Sequence, residues 1–230
     1  MGIAERITEL EERIARACLR AGRKREAVRL LAVSKFAPRE QVLAAWEAGL
    51  RAFGESRVQE AQTKFGAARE GFSGMELHFI GSLQRNKAKA AAAFFDWVES
   101  VDRDSLIDDL ARYASSRPAP LSILFELNAG EAAKGGYRDE ESLFRAAEKC
   151  AAITGIVPRG LMIMAPRAGG EAAARRAFRS LRRAQTELIK RFPGVDWSCL
   201  SMGMSGDFET AIEEGSTLIR AGTAIFGARP

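Results

Sequence analysis

The sequence predicts an α/β protein built as a single (β/α)8 TIM barrel, one domain over residues 1–230, with an extra helix at its N-terminus. Short apolar runs alternate with amphipathic segments along the whole chain, the pattern of a parallel sheet covered by helices. Eight such units follow one another within about 200 residues, near the lower end of the size of these barrels. An open doubly wound sheet is the alternative, but no Gly-x-Gly-x-x-Gly follows the first strand and the sequence contains no P-loop.

The individual elements follow from periodicity and from residues that end helices. Apolar residues at helical spacing from Ile3 to Cys18 predict the first helix, which Gly22 ends. A flexible-looking loop, 128–137, follows the longest strand. The predicted strands are 28–35, 51–53, 77–80, 96–99, 121–127, 160–164, 197–201 and 217–220. The predicted helices are 3–21, 38–49, 58 to about Arg69, 83–93, 104–114, 137–153, 171–191 and 207–214, with a last turn at 224–226.

Length and composition exclude several classes of protein. The chain has 230 residues, 47% hydrophobic and 28% charged, which suits one globular domain. No apolar run approaches the roughly 20 residues needed to span a bilayer. The N-terminus is charged from its fifth residue, unlike a signal peptide, and Arg6 occupies the hydroxyl position of a myristoylation motif. We therefore expect a cytoplasmic protein.

The cysteines and the histidine restrict the available chemistry. Cys18, Cys150 and Cys199 have none of the paired metal or redox spacings, so we interpret them as packed thiols in a reducing compartment. His78 is the only histidine, which excludes a His-rich zinc site and leaves one residue for any Ser-His-Asp triad. Its neighbours Leu77 and Phe79 are apolar, which favours a buried, hydrogen-bonded histidine. We predict no metal site.

The basic character of the chain has a structural explanation. The net charge is +5, and the densest group of basic residues lies between Arg175 and Arg191. Four of these arginines fall on one side of a helix whose other side carries Phe178, Leu181 and Leu188. This is typical of a solvated helix face. Without interleaved aromatic residues, nucleic-acid binding is disfavoured.

Lys35 stands at the C-terminal end of the first strand, where α/β folds place their chemistry. A desolvated lysine there would deprotonate more easily and could act as a Schiff-base nucleophile. The structural alternative is a lysine whose ammonium simply reaches water.

The loops after strands seven and eight lie where this fold commonly holds phosphate. They read Ser201-Met-Gly-Met-Ser-Gly-Asp207 and Arg220-Ala-Gly-Thr-Ala-Ile-Phe-Gly227. Small residues let backbone N–H groups approach an anion, although such loops can be ordinary turns. Arg220 could address an anion or a ring nitrogen, or pair structurally with Glu209, Glu213 or Glu214. A lysine, a phosphate cradle and an arginine together suggest pyridoxal 5′-phosphate (PLP).

These and other motifs resemble those of the pyridoxal-phosphate homeostasis protein family. The resemblance covers nearly the whole chain in order. Its motifs are Leu31-Ala-Val-Ser-Lys35, Phe53-Gly-Glu55 with Val58-Gln-Glu60, His78-Phe-Ile-Gly81 with Leu83-Gln84 and Asn86-Lys87, Ser100-Val-Asp102, Leu200-Ser-Met-Gly-Met-Ser205 with Asp207-Phe-Glu209, Ala211-Ile-Glu-Glu-Gly-Ser-Thr217, and Arg220 with Gly222-Thr-Ala-Ile-Phe-Gly227.

The resemblance implies a monomeric barrel of the alanine racemase N-terminal type, without the racemase's second domain. It implies PLP held as an internal aldimine on Lys35, with Arg220 near the pyridine nitrogen. It further implies a role in PLP supply and vitamin B6 balance, without known catalytic turnover, and apo-forms of PLP enzymes as possible partners. The phosphate-loop candidates are Ser201, Met202, Gly203, Gly222 and Thr223, and the candidates at the ring are Ser56 and Met162.

The chain departs from the family pattern near the site. Ser56 replaces the usual asparagine and is too short for the same contact without water, which affects expected PLP affinity. Ser82 stands in place of a histidine, and the loop around Lys134 and Gly135 is altered.

Two other functions use the same barrel. A PLP-dependent racemase or decarboxylase would need a second acid or base opposite Lys35, and Tyr113 and Tyr137 are the only tyrosines. A class I aldolase would use Lys35 on a carbonyl substrate without a cofactor.

Overall fold

The computed structural model describes residues 1–66, 71–131 and 135–227. Its strands pair in parallel and in sequence order, and the last strand pairs with the first, which closes a barrel. The predicted (β/α)8 fold is therefore confirmed. The strands are Arg29–Val33 (β1), Ala52–Glu55 (β2), Glu76–Phe79 (β3), Trp97–Val101 (β4), Leu121–Leu127 (β5), Ile156–Ile163 (β6), Cys199–Met204 (β7) and Leu218–Ala221 (β8).

The helices cover the outside of this barrel. The predicted N-terminal helix is confirmed: it buries Ile7, Leu10 and Ile14 and packs against the last helices of the chain. The predicted end of the third helix near Arg69 and residue Lys134 lie outside the described residues. The helices are Ile3–Arg20 (α1), Arg39–Glu47 (α2), Val58–Phe65 (α3), Ala88–Phe94 (α4), Asp104–Ala114 (α5), Glu140–Ala151 (α6), Gly170–Arg191 (α7), Phe208–Glu213 (α8) and Thr223–Phe226 (α9).

The sixth strand is longer than the sequence predicts. It begins at Ile156 rather than at Gly160, because it accommodates Pro158 beside a register shift against β5. Gly160 has a φ of 146°, and a Cβ there would lie 1.8 Å from the carbonyl oxygen of Cys199. Proline and glycine usually interrupt a strand, and here the glycine is what permits the close approach of β7.

The two faces of the strands differ in chemistry. Outward side chains join the helices in one large apolar core, as the buried Leu77, Leu200 and Met202 do. The inward face also carries buried polar groups, among them Glu99 and Ser201. The interior of the barrel is therefore partly ionic rather than wholly apolar.

Several predictions about the surface and the thiols can be compared with the structure. The basic helix α7 buries Phe178, Leu181 and Leu188, as its amphipathic pattern predicts. Cys18 and Cys150 are buried free thiols, and Cys199 is a half-buried one. None of the helices in the described ranges is both long and apolar enough to cross a membrane.

Candidate functional site

Lys35 lies in the turn that follows β1. Its side chain is half-buried, whereas Ser34 before it is fully buried and Phe36 after it is exposed. Phe36 has a φ of 68°, in the left-handed region that residues other than glycine rarely adopt. Such a backbone conformation persists only when the surrounding structure supports it.

Side chains from β2 and α3 hold the backbone on both sides of Lys35. The hydroxyl of Ser34 donates to Oε1 of Glu55 at 2.7 Å. The ammonium of Lys64 donates to the Ser34 carbonyl and to the same Glu55 oxygen, both at 2.7 Å. On the other side, the N–H of Phe36 donates to Oε1 of Glu60 at 2.7 Å. We call Glu55, Glu60 and Lys64 the turn clamp, because together they fix the residues that flank Lys35.

Glu55 is the most unusual member of the turn clamp. It is fully buried, and Lys64 beside it is 8% exposed. Burial raises the pKa of Glu55 above its ordinary value, although hydrogen bonds from Lys64 and Ser34 and the Lys64 charge oppose the rise. Within the described part of the chain, its second carboxylate oxygen has no hydrogen-bond partner. The clamp is thus a buried ion pair in which the carboxyl group is only partly satisfied.

The closure of the barrel brings the Lys35 turn next to the end of β8. Leu31 pairs with Arg220 and Ala32 with Ala221, so Lys35 and Gly222 follow neighbouring strand ends. Gly222 approaches β1 closely: a Cβ on it would lie 3.2 Å from the carbonyl oxygen of Val33. Thr223 then begins α9.

Backbone N–H groups after β8 converge on one hydroxyl from the loop after β7. The N–H groups of Gly222 and Ala224 donate to Oγ of Ser205 at 3.3 and 3.4 Å. Gly203 has a φ of 93°, and a Cβ there would meet the Cβ of Ala211 at 2.5 Å, so this loop lies tightly on α8. Converging backbone donors of this kind form a concave site suited to an anion.

Arg220 is a buried cation within the barrel. Its Nη1 donates to Oγ of Ser201 at 2.6 Å and its Nη2 to the carbonyl oxygen of Ile163 at 2.9 Å. Burial lowers the pKa of Arg220, while the charges of Glu99 and Glu126 oppose that effect. Its guanidinium group is therefore held in one orientation by neighbours from β6 and β7.

The three carboxylate partners that the sequence suggested for this arginine are wrong. Glu209 pairs with Arg13 at 2.6 Å instead. Glu213 and Glu214 both pair with Arg175, at 2.9 and 2.8 Å. These carboxylates serve to join α8 to α1 and α7 on the outside of the barrel.

The other candidates on β6 and β7 occupy different faces. Ser201 is buried inside the barrel, where its hydroxyl also lies 2.5 Å from Oε2 of Glu99. Met162 is in register with Ser201 and is 2% exposed, as expected for a methionine facing the interior. Met202 alternates with Ser201 and packs in the outer apolar core, so its side chain points away from the interior.

Ser56 follows β2 and lines a cavity of about 320 Å³ together with Gln84 and Lys87. Gly81 lies directly against the backbone of Ser56, where a Cβ would come within 2.4 Å of the Ser56 carbonyl oxygen. Ser56 thus lies at the same end of the barrel as Lys35, beside this cavity.

The remaining predictions concern His78 and metals. His78 is fully buried and its Nδ1 lies 2.6 Å from Oε1 of Glu99, which confirms a buried, hydrogen-bonded histidine. Within 1–66, 71–131 and 135–227, no group of three His, Cys, Asp or Glu could hold a metal ion.

The sequence alone did not identify several residues that the structure brings into the site. Glu55 and Lys64 lie on different elements, and only the fold shows that they meet. Ser205 belongs to the same Gly- and Ser-rich stretch as Ser201. Its position just before a predicted helix was the one feature of the sequence that could have marked it as part of an anion site. Glu99 has no local feature that marks it as an interior residue.

Comparisons with known proteins agree with this fold. A family model described as the alanine racemase N-terminal domain matches residues 7–230. The pyridoxal phosphate homeostasis proteins of Vibrio cholerae and Escherichia coli are each 40% identical over 99% of this chain, and the matches cover 96% and 97% of those proteins.

Two solved structures illustrate the similarity. PipY of Synechococcus elongatus, with PLP bound, is 34% identical, covers 98% of this chain and 100% of its own, and superimposes with a TM-score of 0.86. Alanine racemase from Bacillus anthracis is 15% identical with a TM-score of 0.68 over 96% of this chain and 56% of its own. The racemase shares the fold alone.

Proposed function

This chain belongs to the pyridoxal phosphate homeostasis proteins, with the fold of the alanine racemase N-terminal domain, and we propose that it binds PLP as a Schiff base on Lys35 and takes part in intracellular PLP supply. The observation that carries this proposal is the meeting of the Lys35 turn with the N–H groups of Gly222 and Ala224 across the β1–β8 seam. To be held at both ends, an aldehyde that bears a phosphate needs an amine and an anion site near each other.

The described residues fit the phosphate end of the cofactor. Two glycines bring the backbone close to the place where N–H groups converge: a Cβ would clash at Gly203 and would fit only tightly at Gly222. We assign the hydroxyl contact to Ser205, with Thr223 beside it, because its oxygen already lies among those donors. Ser201 was the first candidate, but its hydroxyl is engaged by Glu99 and Arg220, and the Glu99 carboxylate would repel a phosphate.

The ring end involves a separate group of side chains. Arg220 would lie at the pyridine nitrogen, where a permanent cation keeps that nitrogen unprotonated. Met162 and Ser56 would border the ring. Met202 would contribute through its backbone only, since its side chain lies in the outer core. When bound, PLP supplies an electron sink, and an arginine at the ring nitrogen makes that sink weak.

We propose binding and delivery rather than catalytic turnover. A racemase or decarboxylase needs a second proton-transferring group near the cofactor. His78 is enclosed in the barrel, the hydroxyl of Tyr137 donates to Asp104 at 3.1 Å, and Tyr113 packs beside Arg112 on α5. These placements support a holding role for the site.

A labelling experiment tests the proposal. The purified chain is incubated with PLP, reduced with borohydride and digested, and the modified peptide is identified by mass spectrometry. We expect one adduct, on Lys35, which is absent from Lys35→Ala and unchanged in Lys190→Ala, a surface lysine whose side chain is 65% exposed. A chain that stays unlabelled, or labels only elsewhere, would contradict it. Exchange of amino-acid α-protons at enzymic rates would instead favour the racemase alternative.

Three further proposals come from the same family membership. We propose that the chain is a monomer, which light scattering can test. We propose a cytoplasmic location, consistent with three free thiols and testable by cell fractionation. Apo-forms of PLP enzymes are the proposed recipients, and recovery of their activity on mixing with the loaded chain would test this.

A further inference from the structure

A continuous line of polar side chains crosses the interior of the barrel. Each member lies within hydrogen-bond or ion-pair distance of the next, and none of the links depends on the backbone. We call this line the interior network. From the N-terminal towards the C-terminal end of the barrel its members are Arg29, Glu76, His78, Glu99, Ser201 and Arg220.

His78 lies between two carboxylates. Its Nδ1 is 2.6 Å from Glu99 and its Nε2 is 3.4 Å from Glu76. The ring stacks on Trp97 with centroids 5.1 Å apart. A ring nitrogen must carry a proton to donate to a carboxylate, so hydrogen bonds to both carboxylates require the imidazolium form of the ring. Burial opposes this charge, but the two carboxylates outweigh it and raise the pKa of His78.

The charge of His78 determines the state of Glu99. Burial alone would protonate this carboxyl group, but the hydrogen bond and charge of His78, together with the Arg220 charge, lower the pKa of Glu99. An ionised carboxylate only accepts hydrogen bonds. The hydroxyl of Ser201 must therefore donate its proton to Glu99.

This donation fixes the other side of the hydroxyl. With its proton directed at Glu99, Oγ of Ser201 offers lone pairs to Nη1 of Arg220 at 2.6 Å. The contact from Nη2 to the Ile163 carbonyl then sets the plane of the guanidinium group. A direct bidentate pair between Arg220 and Glu99 would use two N–H groups of the guanidinium and neutralise its charge. The intervening hydroxyl orients the arginine while leaving its remaining N–H groups available.

We propose that His78, Glu99 and Ser201 are positioning residues that hold Arg220 in the orientation and charge state in which it meets the ring of PLP, an inference that rests on the proposed function. Charged and titratable groups from several elements face this unit, among them Cys199 on β7. Glu126 and Asp207 act on Arg220 by their charges, and Glu76 and Trp97 enclose His78. The network thereby connects the polarity of the barrel interior to the electronic state of the cofactor.

The first half of the test uses no cofactor. Because His78 is the only histidine, ¹⁵N-labelled histidine gives a single pair of ring-nitrogen NMR signals from the whole chain. We expect both nitrogens to stay protonated above the pH at which an ordinary histidine, with a pKa of about 6.5, loses its proton. Titration near 6.5 would overturn the inference.

The second half follows the pH dependence of the PLP absorbance band. Ser201→Ala removes the link between Glu99 and Arg220, and we expect the midpoint of the band's pH profile to move by about half a unit or more. Ser201→Thr keeps the hydroxyl and should restore the midpoint. The matched control is Ser216→Ala, an equally buried serine whose hydroxyl contacts only backbone carbonyls, and it should leave the midpoint unchanged.

The outcomes distinguish a failure of the positioning role from a failure of the proposed function. A normal PLP band with the same midpoint in Ser201→Ala and Ser216→Ala would overturn the positioning role and leave the proposed function intact. Absence of any band in the unaltered chain would overturn the proposed function and the cofactor half of this inference with it. A merely structural role for Ser201 would lower the melting temperature in the manner of Ser216→Ala without moving the midpoint.

Discussion

Replacement of Lys64 by methionine is the sharpest test of the turn clamp. The substitution keeps most of the apolar volume and leaves the carboxylate of Glu55 without its cation. Both groups are enclosed, with side chains 8% and 0% exposed. Removal of one partner from a buried ion pair typically costs about 3–5 kcal/mol, because the other charge stays desolvated. We expect the free energy of unfolding at pH 8 to fall by about 3 kcal/mol, the lower end of that range, because Glu55 can take up a proton.

The loss should depend on pH in a definite direction. Without the Lys64 ammonium, the effect of burial is opposed less, so the pKa of Glu55 rises further. A carboxyl group whose pKa is higher in the folded state than in the unfolded state binds protons preferentially when folded. Its contribution therefore falls as pH rises from the unfolded to the folded pKa, by about 1.4 kcal/mol per unit of pKa difference. The variant should be much closer to the parent at pH 5 than at pH 8.

Urea unfolding followed by tryptophan fluorescence at pH 5 and pH 8 measures both effects. The control is Lys190→Met, which breaks an ion pair with Glu187 whose side chains are 65% and 42% exposed and should change stability by less than about 0.5 kcal/mol. The double variant Glu55→Gln/Lys64→Met also removes the buried carboxylate and should recover part of the lost free energy of unfolding. An equal loss at both pH values, or one no larger than the control's, would refute the reasoning.

Three further predictions concern single residues. The pKa of His78 is raised in the folded state, so its protonation adds stability that is fully present below about pH 6.5 and is lost as pH rises through the folded-state pKa. The unaltered chain should therefore lose stability between about pH 6 and 9. His78→Gln should lack this dependence of stability on pH. Ser205→Ala should weaken PLP binding about tenfold, since one hydrogen bond to a charged group is lost, and equilibrium dialysis would measure it. Ser56→Asn should tighten binding in the same assay, because the longer amide reaches further into the cavity.

The sequence was a good guide to the order of elements and a weaker one to the interior of the barrel. Alternation of apolar runs and amphipathic segments predicted the closed barrel, because each parallel strand must be followed by a crossover. It did not predict the start of β6, where Pro158 and Gly160 mimic a loop. Nor did it show which hydroxyl of the loop after β7 approaches the N–H groups of Gly222 and Ala224.

Register explains why the interior was not predictable. A strand's side chains alternate between two faces, but which residues of different strands meet depends on register shifts. Such shifts occur here between Val98 and Val101 and between Ser201 and Met204. The contact of Glu99 with Ser201, 102 positions apart, joins two strands that are not neighbours in the barrel. A local pattern contains no information about such a pairing.

The turn clamp also bears on how Lys35 could react. Schiff-base formation requires a neutral amine, and an unpaired carboxylate nearby would favour the ammonium instead. Glu55 bonds to Ser34, the residue before Lys35, yet its charge is already balanced by Lys64. Lys64 thus neutralises the carboxylate that is bonded to the residue before Lys35. Lys64→Met should therefore slow the appearance of the PLP band as well as destabilise the fold, and Glu55→Gln/Lys64→Met should restore the rate. Unchanged kinetics in Lys64→Met would confine the clamp to a structural role.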